Sequence, residues 1–282
     1  GRGTKNGNIN IDIRHVFDEI NEGVGKQIIA TMAKYNIDLR KEFLEVGSAP
    51  HTYLGGIRID EWGRSTVDGL YAGGEAAGGI HGANRLGGLA LIDSYVFGLR
   101  SGISAALESK ERDAPDQDSG NWREGIEDLS RRISAKRTGP TATEWRRQLQ
   151  DLVVVSLGQV RSKERLTEGL NKLKKVEETY NEVNNSGSTL RKQFENLRLT
   201  YETRNLIEVA RMLGTSGLQR KETRGGHFRI DYPEVDNKNY LGNYIVWRDR
   251  GQCQTEMRAV PKRNDIAPPP PGDHSTGFNP ML

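Results

Sequence analysis

The chain is predicted to be α/β plus α, and three observations predict it. Residues 47–102 place short strand-like segments directly before glycine-rich turns and a long apolar helix, the strand–turn–helix order of a ligand-binding α/β unit. From residue 141 to 213, apolar residues recur at helical spacing in successive stretches, which predicts a helical bundle. Beyond residue 219, a dense polar turn and two short strands, 244–247 and 254–260, add a small α+β region.

Taken in order, Ile9-Asn10-Ile11-Asp12-Ile13-Arg14 alternates apolar and polar residues and reads as a strand, followed by a helix over 17–35. His15 reads as a packing or surface residue. Residues 57–60 alternate again, 61–64 make a turn, and 65–71 lead into an apolar strand at Leu70, Tyr71 and Ala72. That strand runs into Gly73 and Gly74 and then a carboxylate, Glu75. Glycines let a backbone approach a bound molecule, and an acid just beyond can accept hydrogen bonds from sugar-like hydroxyls. His81, Asn84 and Arg85 follow among Gly78, Gly79, Gly82, Gly87 and Gly88. The run from Leu89 to Leu107 is predominantly apolar and predicts a buried helix, whose N-terminus favours negative charge at the glycine turn.

Residues 108–121, charged and holding Pro115 and Gly120, read as a linker. A first, irregular helix is expected over 122–136. A second starts at Thr141, which with Glu144 makes a capping box, and carries Trp145, Leu149, Leu152, Val153 and Val160 on one face. A third runs from Ser162 with Leu166, Leu170, Leu173, Val176 and Tyr180. A fourth covers 190–213 with Phe194, Leu197, Tyr201, Leu206, Val209, Ala210 and Leu213 as its seam. In the polar turn after residue 219, Arg224, His227 and Arg229 either brace a domain junction or face a redox partner. Residues 267–282, opening with four prolines, read as a disordered tail.

Three segments carry a family resemblance: His51-Thr52-Tyr53-Leu54-Gly55-Gly56-Ile57, then Gly69-Leu70-Tyr71-Ala72-Gly73-Gly74-Glu75 with His81-Gly82-Ala83-Asn84-Arg85-Leu86-Gly87, then the block from Arg220-Lys221-Glu222-Thr223-Arg224-Gly225-Gly226-His227 to Asp231-Tyr232-Pro233. In type and order they resemble the FAD-containing fumarate reductase and succinate dehydrogenase flavoproteins, a family that includes L-aspartate oxidase. The resemblance implies an FAD-binding doubly wound flavoprotein domain. In this chain it implies the end of a capping domain over 1–46, the C-terminal segment of the FAD-binding domain over 47–112, a helical bundle over 113–218, a small C-terminal domain over 219–266 and the tail over 267–282.

The activity it implies is hydride exchange between FAD and a dicarboxylate of the fumarate or succinate class. His51 and Arg85 would grip a substrate carboxylate and stabilise its developing enolate-like charge. Gly55, Gly74, Glu75, His81, Asn84, Arg85, Leu86, Gly88, Leu89, Ala90 and Leu91 would contact the cofactor, Glu75 at the ribityl hydroxyls; His81 either contacts the flavin or braces its loop. Where many members have Asn-Ser-Leu or Asn-Ala-Ile, this chain has Leu89-Ala90-Leu91, so polar side-chain contacts become backbone contacts or are lost. No strand-GxGxxG-helix is present, and the family's adenine and pyrophosphate site and its proton-donating arginine lie in an N-terminal region. The chain is therefore expected to be the C-terminal half of a larger flavoprotein, cut or split, with the N-terminal half as partner and an iron–sulfur electron-transfer protein as a further candidate. Alternatives are an L-aspartate oxidase-like or other unsaturated-acid reductase, or a non-catalytic scaffold subunit of a redox complex.

Composition fits an ordinary globular chain: 282 residues, 34% hydrophobic, net charge +3 with basic residues dispersed among acidic ones, which argues against nucleic-acid binding. Cys253 is the single cysteine, which excludes an intrachain disulfide and any multi-cysteine metal site built from this chain alone, and no metal is expected. It fits a reducing compartment, so the expected location is cytoplasmic, peripheral to a membrane only through partner subunits. No apolar run approaches the roughly 20 residues that span a bilayer.

Overall fold

The computed structural model describes residues 3–5, 8–20, 24–47, 51–112, 122–135 and 137–260. The chain divides into two compact units, Gly1–Tyr53 and Leu54–Leu282. In the first, strand β1 (Ile9–Ile11) pairs antiparallel with β2 (Leu44–Val46), and α1 (Phe17–Ile20) and α2 (Val24–Lys34) lie between them in sequence. The strand expected over 9–14 stops at Ile11. Asp12 accepts hydrogen bonds from the Arg14 backbone N–H and from its guanidinium at 2.7–3.1 Å, and that local turn pulls Arg14 into a 3-10 turn. β2 had no sequence signal of its own.

In the second unit, β3 (Ile57–Arg58) pairs parallel with β4 (Ala77–Gly78), and Ile59 contributes only a single bridge to Ser65. The strand expected at Leu70–Ala72 is likewise reduced to one bridge, Tyr71 to Arg64. The reason is a tight loop: Asp60 Oδ1 accepts from the Trp62 and Arg64 amides, Gly63 turns at φ 76°, and the Ala72 N–H returns to Gly63 O. Helix α3 (Leu89–Glu111) extends beyond residue 107, so the first residues of the expected linker are helical. It is not buried all round. Leu91 and Tyr95 are 71% and 77% exposed, and Ile92, Val96 and Leu99 are exposed with them.

The core lies in the bundle. Helices α5 (Ala142–Leu152), α6 (Lys163–Glu178) and α7 (Leu190–Gln219) contribute Ala142, Trp145, Leu149, Leu166, Leu173, Ile207 and Ala210, with Leu157 and Val183 from the connections, and α4 (Trp122–Ser134) lies outside this cluster. The capping box at Thr141 forms as expected, the Glu144 N–H reaching Thr141 Oγ1 and the Thr141 N–H reaching the Glu144 carboxylate. Ser162 caps α6, whose N-terminus also donates the Lys163 N–H to Asp231. Val160 does not continue the α5 face. The chain leaves α5 through a π-helical turn (Val153–Leu157), and Val160 enters β5 (Val160–Arg161), parallel to β6 (Phe228–Arg229).

Helix α7 also differs from expectation: it runs six residues past Leu213, and Phe194, Leu206 and Val209 are exposed. Its buried face is Leu197, Thr200, Thr203, Ile207, Ala210, Gly214 and Gly217. Thr203 returns its hydroxyl to Leu199 O, and Thr200 divides its contacts between Asn185 Oδ1 and Asn196 O, so these polar groups are satisfied inside. A Cβ on Gly214 would lie 2.8 Å from Leu170 Cδ2, so α6 and α7 approach more closely than side chains on both would permit. α4 is fastened by a polar network. Arg132, 3% exposed, forks to Asp128 and Asn181 and lies 3.8 Å from the Tyr180 ring centroid, and Tyr201 donates to Asp128.

After α7 come the short α8 (Asn237–Tyr240) and a hairpin, β7 (Gly242–Asp249) with β8 (Gln252–Ala259). The hairpin is longer than expected and turns at Arg250 and Gly251, both at positive φ, which matches the twist of the strands. The 113–121 part of the linker and the tail over 267–282 lie outside the described residues.

Candidate functional site

The glycine-rich stretch is built against α3. A Cβ on Gly73 would lie 2.7 Å from the Gly98 amide, and one on Gly74, at φ 68°, 2.9 Å from Ser94 Oγ. These glycines let the 3-10 turn Gly74–Ala76 sit on the helix, where Ser101 Oγ donates to Ala72 O at 2.9 Å. Gly56 and Gly78 meet backbone to backbone where β3 and β4 pair.

The next glycines have a different setting. Gly79, Gly82 and Gly88 adopt φ of 93°, 59° and 85°, and a Cβ at any of them, or at Gly87, would meet nothing within 4 Å. Gly88 is the left-handed N-cap of α3, and no side chain caps that end. An open, glycine-lined turn leading into an uncapped 23-residue helix presents backbone donors and a favourable dipole to negative charge. Glu75 is exposed on the turn before it, Gly55 and Asn84 are exposed, and Leu86 is 72% exposed. Leu89 and Ala90 are half-buried, and Leu91 points apolar surface outward.

Arg85 is half-buried and, among the described residues, makes no ion pair or hydrogen bond. His51 is exposed and belongs to the first unit, whereas Arg85 belongs to the second. His81 is braced: its Nε2 lies 3.1 Å from Asp93 Oδ2, both side chains being nearly inaccessible.

The downstream block clamps this turn from outside. Arg224 and His227 bond to each other through both backbone pairs, and Gly225 at φ 56° brings the loop so close to Ala83 that a Cβ there would sit 2.0 Å from Ala83 O. The Gly226 N–H donates to the same carbonyl. The block is held in turn by buried charge. Glu222, fully buried, accepts from Arg220, from Arg224 at 2.8 and 2.9 Å and from the Asp236 amide at 2.8 Å. Burial alone would push its carboxyl up, but the bonds from Arg224, Asp236 and Arg220 outweigh that and hold it below the ordinary carboxylate range.

Arg229, 1% exposed, donates to the Gly217, Leu218 and Arg220 carbonyls and so closes the end of α7, while its fork onto Asp231 holds that carboxyl down at about 2. His227 donates from Nε2 to Arg220 O and accepts at Nδ1 from Arg161; burial, then the Arg161 charge, push it down to about 4. Arg224, His227 and Arg229 therefore brace. What they brace is the end of α7 and, through Gly225, the Ala83 turn.

The donor set fits a flavin. The four glycines facing open space leave a cradle that side chains would fill, and the uncapped helix end supplies backbone N–H groups where Leu89-Ala90-Leu91 lacks polar side chains. Sequence reasoning did not single out Asp93, buried within the apolar run, nor Gly225, whose contact with Ala83 spans 142 residues.

Comparison with known proteins gives the same assignment. A family model described as an FAD binding domain matches residues 2–91, and one described as the fumarate reductase flavoprotein C-term matches residues 146–272. A fumarate reductase (CoM/CoB) polypeptide from Methanothermobacter marburgensis is 35% identical over 239 residues, covering 83% of this chain and 42% of that protein. A succinate dehydrogenase flavoprotein subunit from Coxiella burnetii is 28% identical over 288 residues, covering 95% and 48%. L-aspartate oxidases are also among the relatives. The FrdA chain of an E. coli quinol fumarate reductase superposes with a TM-score of 0.81 at 25% identity, covering 98% of this chain and 48% of that one. The chain thus spans about half the length of the relatives it matches. With strand-fed glycine turn, uncapped helix and buttressing downstream block all present, it belongs to the fumarate reductase and succinate dehydrogenase flavoprotein family.

Proposed function

We propose that this chain supplies the flavin-facing turn and the substrate grip of an FAD-dependent oxidoreductase of the fumarate or succinate class. FAD, when bound, supplies the hydride exchange. The observation that carries the reading is the open glycine turn of residues 79–88, which presents Arg85, without an ion pair or hydrogen bond among the described residues, beside the N-terminus of α3, which no side chain caps. A planar guanidinium matches a carboxylate in two parallel bonds, which both anchors a dicarboxylate and stabilises negative charge developing on it. The α3 N-terminus would favour the negative charge that FAD carries when reduced, and Glu75 would accept from ribityl hydroxyls. The family resemblance gives His51 the other half of the carboxylate grip.

The rest of the fold, in the same or a second polypeptide, covers the exposed apolar face of α3 and brings the adenine site and proton donor. An electron-transfer partner, an iron–sulfur protein being the class the reading favours, completes the complex. Among the described residues no helix is long and apolar enough to cross a membrane.

The test is reconstitution. Co-expressed with a polypeptide that completes the fold, the chain is expected to retain FAD and to reduce fumarate with an artificial donor. Arg85→Lys is expected to lower kcat/KM at least about tenfold, because a point charge cannot reproduce the fork. A double-mutant cycle of His51→Ala with Arg85→Lys reads whether the two act on one substrate: additive losses would separate them. Turnover of L-aspartate instead of fumarate would assign the sibling reaction.

A further inference from the structure

His81 and Asp93 form a pair that sits oddly for a structural brace. Asp93 is 4% exposed and lies in the second turn of α3, among Leu89, Ala90, Leu91 and Ile92. Its Oδ2 meets His81 Nε2 at 3.1 Å, and its Oδ1 is buried with no hydrogen-bond partner. Leaving one oxygen of a buried carboxylate unsatisfied is costly, so the single bond Asp93 makes, to His81, is a built contact. A carboxylate of this kind only accepts, which makes His81 Nε2 the donor. A neutral imidazole then has Nδ1 left as an acceptor, and Nδ1 has no partner among the described residues. The flanking Gly79 and Gly82, both at positive φ, face open space.

We infer that Asp93 is a positioning residue that locks His81 in its Nε2–H tautomer, so that Nδ1 accepts a hydrogen bond from an N–H or hydroxyl donor of the flavin bound over the glycine turn. The inference rests on the flavin reading above and adds a residue and a polarity to it: His81 is an acceptor on this turn, set by a buried acceptor one step behind it. Metal-binding His residues are oriented by carboxylates in the same way, and here the oriented atom meets a ligand donor instead.

The experiment is two-bond 1H–15N correlation of the imidazoles in the protein as purified with whatever completes its fold, with His81 assigned by H81N. The wild type is expected to show a single Nε2–H tautomer for His81. Asp93→Asn, whose side-chain carbonyl still accepts from Nε2, is expected to keep it, and Asp93→Leu to populate both tautomers. On saturation with FAD, the His81 Nδ1 resonance is expected to move upfield, as an accepting imidazole nitrogen does. A wild-type Nδ1–H tautomer, or a tautomer unchanged in Asp93→Leu, overturns the positioning role with or without flavin. An unmoved Nδ1 with FAD fully bound overturns the acceptor role while leaving the flavin reading intact. Failure of the wild type to bind FAD overturns the flavin reading and the acceptor role together, and the tautomer result still decides what Asp93 does.

Discussion

Two long helices of the second unit carry opposite lessons. α3, with 23 residues, is the more apolar in sequence and yet turns Leu91, Ile92, Tyr95, Val96 and Leu99 to the outside. α7, with 30 residues, is mixed and charged, and it buries a face made largely of Thr200, Thr203, Ala210, Gly214 and Gly217. Apolar sequence therefore marks where a partner surface is wanted, and small or self-satisfied residues mark where one is already present at close range. The face of α7 is covered within this chain; the apolar face of α3 is exposed among the described residues.

The sharpest way to break that comparison is to attack what finishes α7. Its last turn is closed by Arg229 and followed directly by Arg220, Glu222 and Arg224, with Glu222 accepting from three donors at full burial. Glu222→Ala leaves two guanidinium groups and an amide without their carboxylate. It is expected to cost about 3–5 kcal/mol in urea unfolding, the usual range for removing one member of a buried charged cluster. A cost under about 1 kcal/mol would mean that α7 is held by its bundle contacts alone.

That network was legible in the sequence only in part, and the reasons are physical. Local signals read true. The Thr141–Glu144 box, the helix start at Ser162 and the two neighbouring strands near 244–260 involve residues a few positions apart, so the sequence contains the whole interaction. The glycine turn and its open geometry were legible because left-handed backbone selects glycine almost alone. What was not legible is nonlocal. β5 pairs with β6 across 68 residues, Gly225 meets Ala83, and β2 pairs with β1 from 35 residues away. On α7, Leu197, Ala210 and Leu213 were legible, but Thr200, Thr203, Gly214 and Gly217 escaped because hydrophobic periodicity cannot register a seam of Thr and Gly. α3 misled for the converse reason: a run such as Leu89 to Phe97 reads as buried whether or not the burying partner is in hand. The roles proposed for His51 and Arg85 come from family resemblance, and Asp93 was hidden because a single acid inside an apolar run carries no pattern.

A smaller effect separates the end of α7 from the bundle by pH. His227, beside Gly217 and bonded to Arg220 O and Arg161, is held at about 4 in the folded chain, below the ordinary 6.5 of the unfolded one. With the folded value depressed, the unfolded chain binds the extra proton first. Stability is then complete above about pH 6.5 and is lost as pH falls through about 4. Allowing for partial solvent access, the loss attributable to this residue is about 2 kcal/mol. His227→Asn, whose amide can both donate to Arg220 O and accept from Arg161, is expected to flatten that part of the stability profile. Parallel profiles for wild type and H227N between pH 6.5 and 4 would remove the histidine from the account.

The smallest effect on the chain itself is expected at α3, and its smallness is the point. Tyr95 is 77% exposed, so Tyr95→Ser removes little that this chain buries, and the two residues have similar helix propensity. Its unfolding free energy is expected to stay within about 0.5 kcal/mol of wild type. If the α3 face docks onto the rest of the flavoprotein fold, the same substitution deletes a buried aromatic from that contact. At roughly 25 cal/mol per Å² over the 80 Å² or so of ring surface one side chain contributes, this is about 2 kcal/mol, or roughly thirtyfold in the dissociation constant of a reconstituted assembly. A face that merely tolerates exposure would show no change in either measurement. A residue on α7 such as Ile207, 1% exposed, would show the reverse split, with Ile207→Ala costing the chain about 2–4 kcal/mol and the assembly little beyond that. The two substitutions together thus distinguish a helix whose partner is already folded against it from one that is waiting for its own, and equal behaviour at both positions would erase the distinction.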